Sequence, residues 1–242
     1  MLFDLDDTVL DHGRLTRDAL GSLYDLYEAG LILVGVTGRP SGWGQVLTRQ
    51  WPVSGMVTEN GIIALTKEGN RIRVLDRASV EQRRERSARL AQLVSELQSQ
   101  FPDLTPSDDV AGRLADFSFD IAESKMVDAE IVRAATEVAR RKGARVVQSS
   151  IQLHLSFDGD DKASGVVRFL GLKHGIDATR ARYRFAFVGD SENDASCFAA
   201  FEHSFGVANL RGRPSLLPRY RSDGATAAGF TEIARALLAA RN

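Results

Sequence analysis

The sequence is poor in cysteine and histidine, the residues that stabilise small secreted or zinc-binding domains. It contains one cysteine and four histidines, so it cannot form an internal disulfide and offers no spacing typical of a structural zinc site. Its most apolar stretch, residues 31–36, is far shorter than the roughly 20 residues needed to cross a bilayer. Lysine and arginine total 31 against 32 aspartate and glutamate, which disfavours nucleic acid or a membrane surface as a partner. We therefore expect a cytoplasmic protein without either partner.

The 242 residues are 43% hydrophobic and 26% charged, an ordinary globular composition. This length lies between one large domain and two modest ones. The apolar stretch before Asp4 is very short for a central strand, which leaves open a start of the protein upstream of Met1.

Two parts of the chain alternate apolar strands with helices. In the first part, a helix over residues 14–28 separates the predicted strands 1–3 and 31–36. In the second part, helices alternate with the predicted strands 185–188 and 204–207. This order predicts an α/β fold with a Rossmann-like, doubly wound parallel sheet.

The segment between these parts has a different pattern. It contains two long amphipathic helices and three strands with alternating faces, which is typical of an α+β layer. The predicted elements are helices over 80–100 and 127–142, a strand over 114–121, and a hairpin of 145–148 and 151–157 that turns at Ser149 and Ser150. We interpret residues 76–156 as an inserted domain, and residues 1–75 and 157–242 as the core.

Two carboxylates, Asp4 and Asp6, follow the first predicted strand. The carboxyl ends of strands are where open α/β sheets bind ligands. One carboxylate there can attack phosphorus, and a second can protonate the leaving oxygen. A solvated acidic turn is the alternative for this segment taken alone, and Asp7 is expected to be a solvated loop residue.

Three further segments place phosphate- or metal-binding groups at strand ends and helix starts. Thr37 and Gly38 offer a hydroxyl and backbone N–H groups to a phosphoryl oxygen, although a helix cap would also explain the threonine. Lys162 begins a helix, where the dipole disfavours a cation; a surface lysine is the alternative. Residues 189–194 end another strand with acidic side chains of the kind that hold Mg²⁺ beside phosphates.

Together these segments resemble the motifs of the haloacid dehalogenase-like (HAD) superfamily, and the resemblance covers nearly the whole chain. The insertion between Thr37 and Lys162 is similar to the type II cap, and residues 37–40 with 59–61 resemble the IIB branch. That branch includes Cof-type phosphatases, sucrose-phosphate phosphatase, mannosyl-3-phosphoglycerate phosphatase and phosphomannomutase. The resemblance therefore implies a HAD core with an inserted α+β cap of the C2B type.

The resemblance also implies a role for each matching residue. Asp4 is the implied nucleophile, Asp6 the implied acid/base, and Mg²⁺ the implied cofactor. The implied metal ligands are Asp4, Asp6 through its backbone carbonyl, Asp190 and Asp194. The implied phosphate-binding residues are Thr37, Gly38, Lys162 and Asn193. Carboxylates gathered around a phosphate repel one another, so a dication and the lysine are needed to offset their charge.

Substrate specificity is expected to come from the cap. If the apolar faces of the cap strands pack on its helices, the polar faces look toward the active site. These candidate substrate-facing residues are Asp116, Ser118, Asp120, Gln152 and His154, with Arg39 and Asn60 added from the core. Their mixed polar chemistry suits a polyhydroxylated leaving group. The alternatives are a partly exposed strand residue for His154 and a simple turn for Asn60.

We therefore predict a Mg²⁺-dependent phosphatase that hydrolyses a small phosphorylated metabolite, a sugar phosphate, through an aspartyl phosphate. The protein is expected to be a monomer or a homodimer. A sugar phosphomutase would use the same site. A catalytically inactive binding module usually loses a motif carboxylate or the lysine, and none is lost here. Asp6 also separates the chain from the dehalogenases, which lack the second acid.

Overall fold

The computed structural model describes residues 1–149, 151–210, 212 and 214–240. Its strands, in chain order, are β1 (Leu2–Phe3), β2 (Leu10–Asp11), β3 (Arg14–Leu15), β4 (Val34–Val36), β5 (Gly55–Thr58), β6 (Ile63–Glu68), β7 (Arg71–Asp76), β8 (Thr105–Pro106), β9 (Asp116–Asp120), β10 (Arg145–Gln148), β11 (Gln152–Ser156), β12 (Ala186–Gly189), β13 (His203–Gly206) and β14 (Tyr220–Arg221). Its α-helices are α1 (Arg17–Glu28), α2 (Ser41–Gln50), α3 (Val80–Gln100), α4 (Ala129–Arg141), α5 (Lys162–His174), α6 (Ala178–Arg184), α7 (Ala195–Ala200) and α8 (Thr226–Ala239).

Eight strands form the main sheet in the order β14-β13-β12-β1-β4-β5-β6-β7. The strands from β14 to β5 are parallel, and β6 and β7 are antiparallel at one edge. The predicted α/β fold class is confirmed. The edge differs from a purely parallel sheet because a tight turn after β6 returns the chain directly, whereas a parallel pairing needs a crossover.

Both faces of the main sheet are covered, because its central strands are apolar on both sides. Phe3 packs edge-to-face on Phe230 of α8, with ring centroids 5.7 Å apart, in a cluster that also includes α1. Leu2 points to the other face, where Phe169 of α5 and Phe198 of α7 pack. Alternation along a single buried strand therefore supplies both cores.

The cap is a four-stranded antiparallel sheet in the order β10-β11-β9-β8, with α3 and α4 packed on one face. Leu93 and Leu97 of α3 and Val132 of α4 meet Phe119 and Leu153 of the sheet. Ser150, at the predicted hairpin turn, lies outside the described residues. The opposite face of the cap sheet carries the polar side chains.

The chain order of the main sheet creates a crevice beside β1. From β1 the chain proceeds to β4 and β5 on one side and later to β12 and β13 on the other. Such a switch point is where open parallel sheets bind ligands. In the part of the chain that the structure describes, no helix is both long and apolar enough to span a membrane.

Candidate active site

Three neighbouring parallel strands end at the same edge, and each is followed by a predicted site residue. Asp4 follows β1, Thr37 follows β4, and Asp190 follows β12. All three side chains are buried. The main sheet therefore brings together residues that lie far apart in sequence.

Lys162, the first residue of α5, joins this group from the side. Its Nζ lies 2.7 Å from Asp4 Oδ1 and 2.7 Å from Asp194 Oδ1, and the side chain is fully buried. Burial opposes the charged ammonium, but Asp194 and Asp4 outweigh it and raise the pKa of Lys162. The lysine is thus a fixed positive charge beside the proposed nucleophile.

One lysine does not balance the carboxylates around it. Burial raises the pKa of Asp4 to about 8, and the charges of Asp194 and Asp6 add to this effect while Lys162 opposes it. Burial likewise raises the pKa of Asp190 to about 9, helped by Asp4 and Asp194. Without a bound cation the site therefore favours the protonated forms of Asp4 and Asp190.

The site fits a divalent cation. Asp4, Asp190 and Asp194 each offer a carboxylate oxygen, and these atoms lie within 4.8 Å of one another. Asp190 Oδ2 is buried and has no hydrogen-bond partner among the described residues. An all-oxygen donor set with an orphaned buried carboxylate oxygen is the chemistry that hard cations prefer.

The loop after β12 holds its own carboxylate in place. Asp194 Oδ2 accepts the backbone N–H groups of Asp190 at 2.9 Å and Ser191 at 3.2 Å. Ser191 Oγ donates to Asn193 Oδ1 at 2.7 Å, and Asn193 Nδ2 donates to Asn60 Oδ1 at 3.4 Å. The predicted residues Asn193 and Asn60 are therefore in contact beside the lysine.

The Thr37-Gly38 turn approaches both the core loop and the cap. Thr37 Oγ1 accepts the backbone N–H of Arg39 at 3.0 Å within the turn, whereas the N-cap of α2 is Pro40, so the threonine does not cap that helix. A Cβ on Gly38 would lie 3.2 Å from Asn60 Oδ1 and 3.2 Å from His154 Nε2. A side chain at this position would therefore require Asn60 and His154 to shift by a few tenths of an ångström, so glycine favours close approach of the cap.

Asp6, the proposed acid/base, is bound by Arg39. Arg39 Nε lies 2.9 Å from Asp6 Oδ2, and Nη2 lies 2.9 Å from Oδ1. The same guanidinium is 3.3 Å from Asp109 and 2.9 Å from Glu123, which both belong to the insertion, and it stacks over Trp43. Burial opposes the charge of Arg39, but Asp6 and Glu123 outweigh it and raise the pKa.

Glu59 makes a second connection between core and cap. Its carboxylate accepts the backbone N–H groups of Leu114 at 3.0 Å, Ala115 at 2.7 Å and Asp116 at 3.0 Å. It also accepts the N–H and hydroxyl of Ser41 in α2. Burial raises the pKa of Glu59 to about 7, and the charge of Asp116 adds to this while the donors oppose it. Successive N–H groups of this kind form an anion-binding nest.

Two of the predicted polar residues of the cap line a small cavity beside Asp4 and Asp6, which we call the catalytic cavity. Gln152 and His154 line a cavity of about 20 Å³ together with Asp4 and Asp6. Asp116 lies behind them, 3.2 Å from His154 Nδ1. Burial lowers the pKa of His154, with Asp116 opposing, so the ring is neutral near pH 7.

Arg113 links these cap residues to the Thr37-Gly38 turn. Its Nη1 lies 2.9 Å from Asp116 Oδ1 and donates to the carbonyl of Gly38 at 3.0 Å, while Nη2 donates to Gln152 at 2.9 Å. Burial raises the pKa of a carboxyl such as Asp116, but Arg113 outweighs this effect and the pKa is lowered. Arg113 and Asp116 of the cap are thus paired with each other where the cap meets the core.

The other two candidates on this face, Ser118 and Asp120, make hydrogen bonds within the cap. Ser118 hydrogen bonds with the hydroxyl of Ser107, and Asp120 accepts N–H groups of Glu123 and Ser124. Both side chains are buried. Neither lines the catalytic cavity.

The expectation for Asp7 was wrong. The residue is 6% exposed rather than solvated, and its φ of 54° places it in the left-handed region. Its carbonyl accepts Asn209 Nδ2 at 2.9 Å. The sharp turn after Asp6 turns this side chain inward, a geometry that local composition does not reveal.

Sequence reasoning missed Glu59 and Arg113. Glu59 is adjacent to the candidate residue Asn60. Its position directly after an apolar strand could have indicated that it belongs to the site. Arg113 precedes the alternating strand and showed no local pattern. Both act through partners distant in sequence, such as Glu59 with residues 114–116.

The comparisons with known proteins agree with this geometry. The family model described as sucrose-6F-phosphate phosphohydrolase matches residues 1–229. The chain belongs to this family. The membership confirms the HAD resemblance and the predicted class of enzyme, a phosphoric monoester hydrolase. No curated protein sequence matches the chain.

Solved structures of the same fold cover nearly the whole phosphohydrolase. A protein of Thermoplasma acidophilum is 20% identical, with a TM-score of 0.77 over 98% of this chain and 96% of that one. A haloacid dehalogenase-like hydrolase from B. subtilis is 16% identical, with a TM-score of 0.70 over 98% and 99%. The sucrose-phosphatase of Synechocystis, solved with sucrose and phosphate, is 17% identical, with a TM-score of 0.67 over 97% and 96%. At these identities the likeness shows the fold.

Proposed function

We propose that this phosphohydrolase hydrolyses a small sugar phosphate, with Mg²⁺ as cofactor, through an aspartyl-phosphate intermediate. The observation that carries the proposal is the buried group of Asp4, Lys162, Asp190 and Asp194, with Asp6 beside it at the cavity. This group supplies a nucleophile, a fixed cation and an oxygen donor set in one crevice.

In the proposed reaction, a carboxylate oxygen of Asp4 attacks phosphorus and the ester P–O bond breaks. Asp6 donates a proton to the departing alcohol oxygen. Asp6 then takes a proton from water, whose oxygen attacks the phosphoryl group, so that inorganic phosphate leaves and Asp4 is regenerated. Lys162 and the N–H groups of the Thr37-Gly38 turn hold the phosphoryl oxygens.

Mg²⁺ held by Asp4, Asp190, Asp194 and the carbonyl of Asp6 would neutralise charge on the transferring phosphoryl group. The unpartnered Asp190 Oδ2 and the raised pKa values of Asp4 and Asp190 support this cofactor. Gln152 and His154 face the same cavity and are the cap groups placed to contact a sugar hydroxyl. The cap boundaries at residues 76 and 156, the cytoplasmic location and the oligomeric state stay predictions.

The test is phosphate release from a panel of sugar phosphates and from p-nitrophenyl phosphate, with Mg²⁺ present. Asp4→Asn is expected to abolish release while the fold persists, and Asp25→Asn, an exposed aspartate of α1, is the matched control. Unchanged turnover in Asp4→Asn would refute the assignment of the nucleophile. Interconversion of sugar-phosphate isomers without phosphate release would identify a phosphomutase instead.

A further inference from the structure

A second space adjoins the catalytic cavity and is far larger. It has a volume of about 730 Å³ and lies between β10 of the cap and the core loop that follows β12. We call it the side cleft; its lining includes Asn60, Arg140, Arg145, Lys162 and Asn193. Because Lys162 lines it, the side cleft opens directly beside the phosphate-binding groups.

The arginines of the side cleft differ from those above the catalytic cavity. Arg145 is half buried, yet neither its guanidinium nor that of Arg140 makes an ion pair with a described residue. By contrast, the buried Arg39 and Arg113 each contact at least two carboxylates. Burial lowers the pKa of Arg145, which nearby Asp161 opposes without cancelling. This guanidinium therefore lacks a full counter-charge.

The carboxylates that line the side cleft are already engaged. Asp161 accepts the backbone N–H of Ser164 at 2.7 Å as the N-cap of α5. Glu192 accepts both the N–H and the hydroxyl of Ser215, each at 2.7 Å. The charges of Asp161 and of nearby Asp160 raise the pKa of Arg145 without cancelling the effect of burial, and Asp160 itself pairs with Arg168. The unused groups of the cleft therefore include the guanidinium donors of Arg140 and Arg145.

Asn60 adds a neutral donor of the same kind. Its side chain is buried, and its Nδ2 has no hydrogen-bond partner among the described residues. The Oδ1 atom is used, because it accepts Asn193 Nδ2. A buried amide N–H without an acceptor is costly, which points to an acceptor supplied by a ligand.

We propose that the side cleft binds an anionic group on the leaving part of the substrate, a carboxylate or a second phosphate, through Arg145 and Arg140. The inference rests on the proposed function and deepens it: the substrate class becomes a phosphorylated sugar acid or a bisphosphate. Guanidinium groups bind both kinds of oxyanion with two parallel hydrogen bonds. In this proposal the Nδ2 group of Asn60 donates a hydrogen bond to a substrate oxygen that lies closer to Lys162 than the anionic group does.

Matched phosphate esters test the proposal. The six-carbon set is glucitol 6-phosphate, 6-phosphogluconate and glucitol 1,6-bisphosphate, and the three-carbon pair is glycerol 3-phosphate and 3-phosphoglycerate. Each compound is measured as a competitor of p-nitrophenyl phosphate. In at least one comparison the anionic member is expected to bind about tenfold more tightly than the neutral one. The carboxylate and bisphosphate arms show which oxyanion the cleft prefers.

In Arg145→Gln, the affinities for the anionic and the neutral ester are expected to differ by no more than about twofold, since the variant loses the charge-assisted contact. Arg141→Gln, one residue beyond Arg140 on an exposed part of α4, is the control and keeps the wild-type preference. A wild-type preference near one in every comparison overturns the proposal, as does a preference that survives Arg145→Gln. The affinities for the same esters are also measured by calorimetry, which does not depend on hydrolysis. A protein that does not hydrolyse p-nitrophenyl phosphate would therefore count against the proposed function and would leave the test of the side cleft intact.

Discussion

Arg39 and Asp6 form a bidentate ion pair, with Nε and Nη2 each 2.9 Å from a carboxylate oxygen. The same guanidinium reaches Asp109 and Glu123 of the insertion. The proposed proton donor and the cap are therefore connected through a single side chain. A change in the position of the cap changes the surroundings of Asp6.

Arg39→Gln is expected to lower kcat for p-nitrophenyl phosphate by about tenfold or more, because misplacing a catalytic group is costly. It is also expected to lower the free energy of unfolding by about 2 kcal/mol, since Asp6, Asp109 and Glu123 each lose a charged donor, although Asp109 keeps its ion pair with Arg113. Steady-state kinetics and denaturant unfolding measure the two effects. Arg84→Gln, on the exposed face of α3, is the control, and equal behaviour of both variants would contradict the role of Arg39.

Glu59→Gln is expected to loosen the contact between cap and core. All five groups around the carboxylate are donors, so an amide NH₂ leaves some of the N–H groups of residues 114–116 without an acceptor. Each buried donor left unpaired costs about 1–3 kcal/mol. Hydrogen exchange should then quicken in residues 114–116 of Glu59→Gln but not in Glu68→Gln, a matched exposed glutamate. Equal protection in the two variants would show that Glu59 does not hold residues 114–116 of the cap against the core.

Mg²⁺ is expected to stabilise the protein more at about pH 8.5 than at about pH 6.5. The folded pKa values of Asp4 and Asp190, about 8 and about 9, lie above their ordinary value, so the metal-free folded state binds more protons than the unfolded state. Its stability therefore falls as pH rises through this range, and a cation that replaces those protons restores it.

The measurement is the Mg²⁺-induced rise in Tm at the two pH values. Asp190→Asn should remove most of that rise, and Asp103→Asn, an exposed control, should keep it. A rise that is larger at the lower pH would show that these carboxylates do not hold the ion.

His154→Ala is expected to raise KM for a sugar phosphate about tenfold and to change kcat less, because the ring lines the cavity from the cap side. His203→Ala, an exposed histidine of β13, is the control. Combining His154→Ala with Asp116→Asn should give less than the sum of the single effects, since the two side chains are in contact. Full additivity would show that Asp116 does not act through His154.

Much of the fold could be predicted because it follows from local patterns. Apolar strands alternating with helices specify a parallel sheet, and residues after strand ends, such as Asp4, Thr37 and Asp190, must meet at one edge. The helix start alone left open a surface lysine at Lys162, and its proposed role came from the resemblance to the HAD motifs. The alternating strand β9 similarly indicated which cap side chains share a face.

What could not be predicted depends on how cap and core face each other. The five donors around Glu59 come from α2 and from residues 114–116, and no local pattern shows that those N–H groups lack a sheet partner. The pairing of Arg39 with Asp109 is of the same kind. Asp7 was missed for another reason, since its direction depends on a left-handed backbone angle.

The catalytic cavity of about 20 Å³ has room for little more than one water molecule. A phosphate ester does not fit into this cavity alone, so either the cap moves or the ester reaches Lys162 through the side cleft. If the cap must move, the observed association rate should level off at the rate of cap opening as substrate concentration rises, whereas entry through the side cleft gives no such plateau. The same choice of routes applies to the release of inorganic phosphate, and a plateau equal to kcat would identify cap opening as the rate-limiting step of turnover.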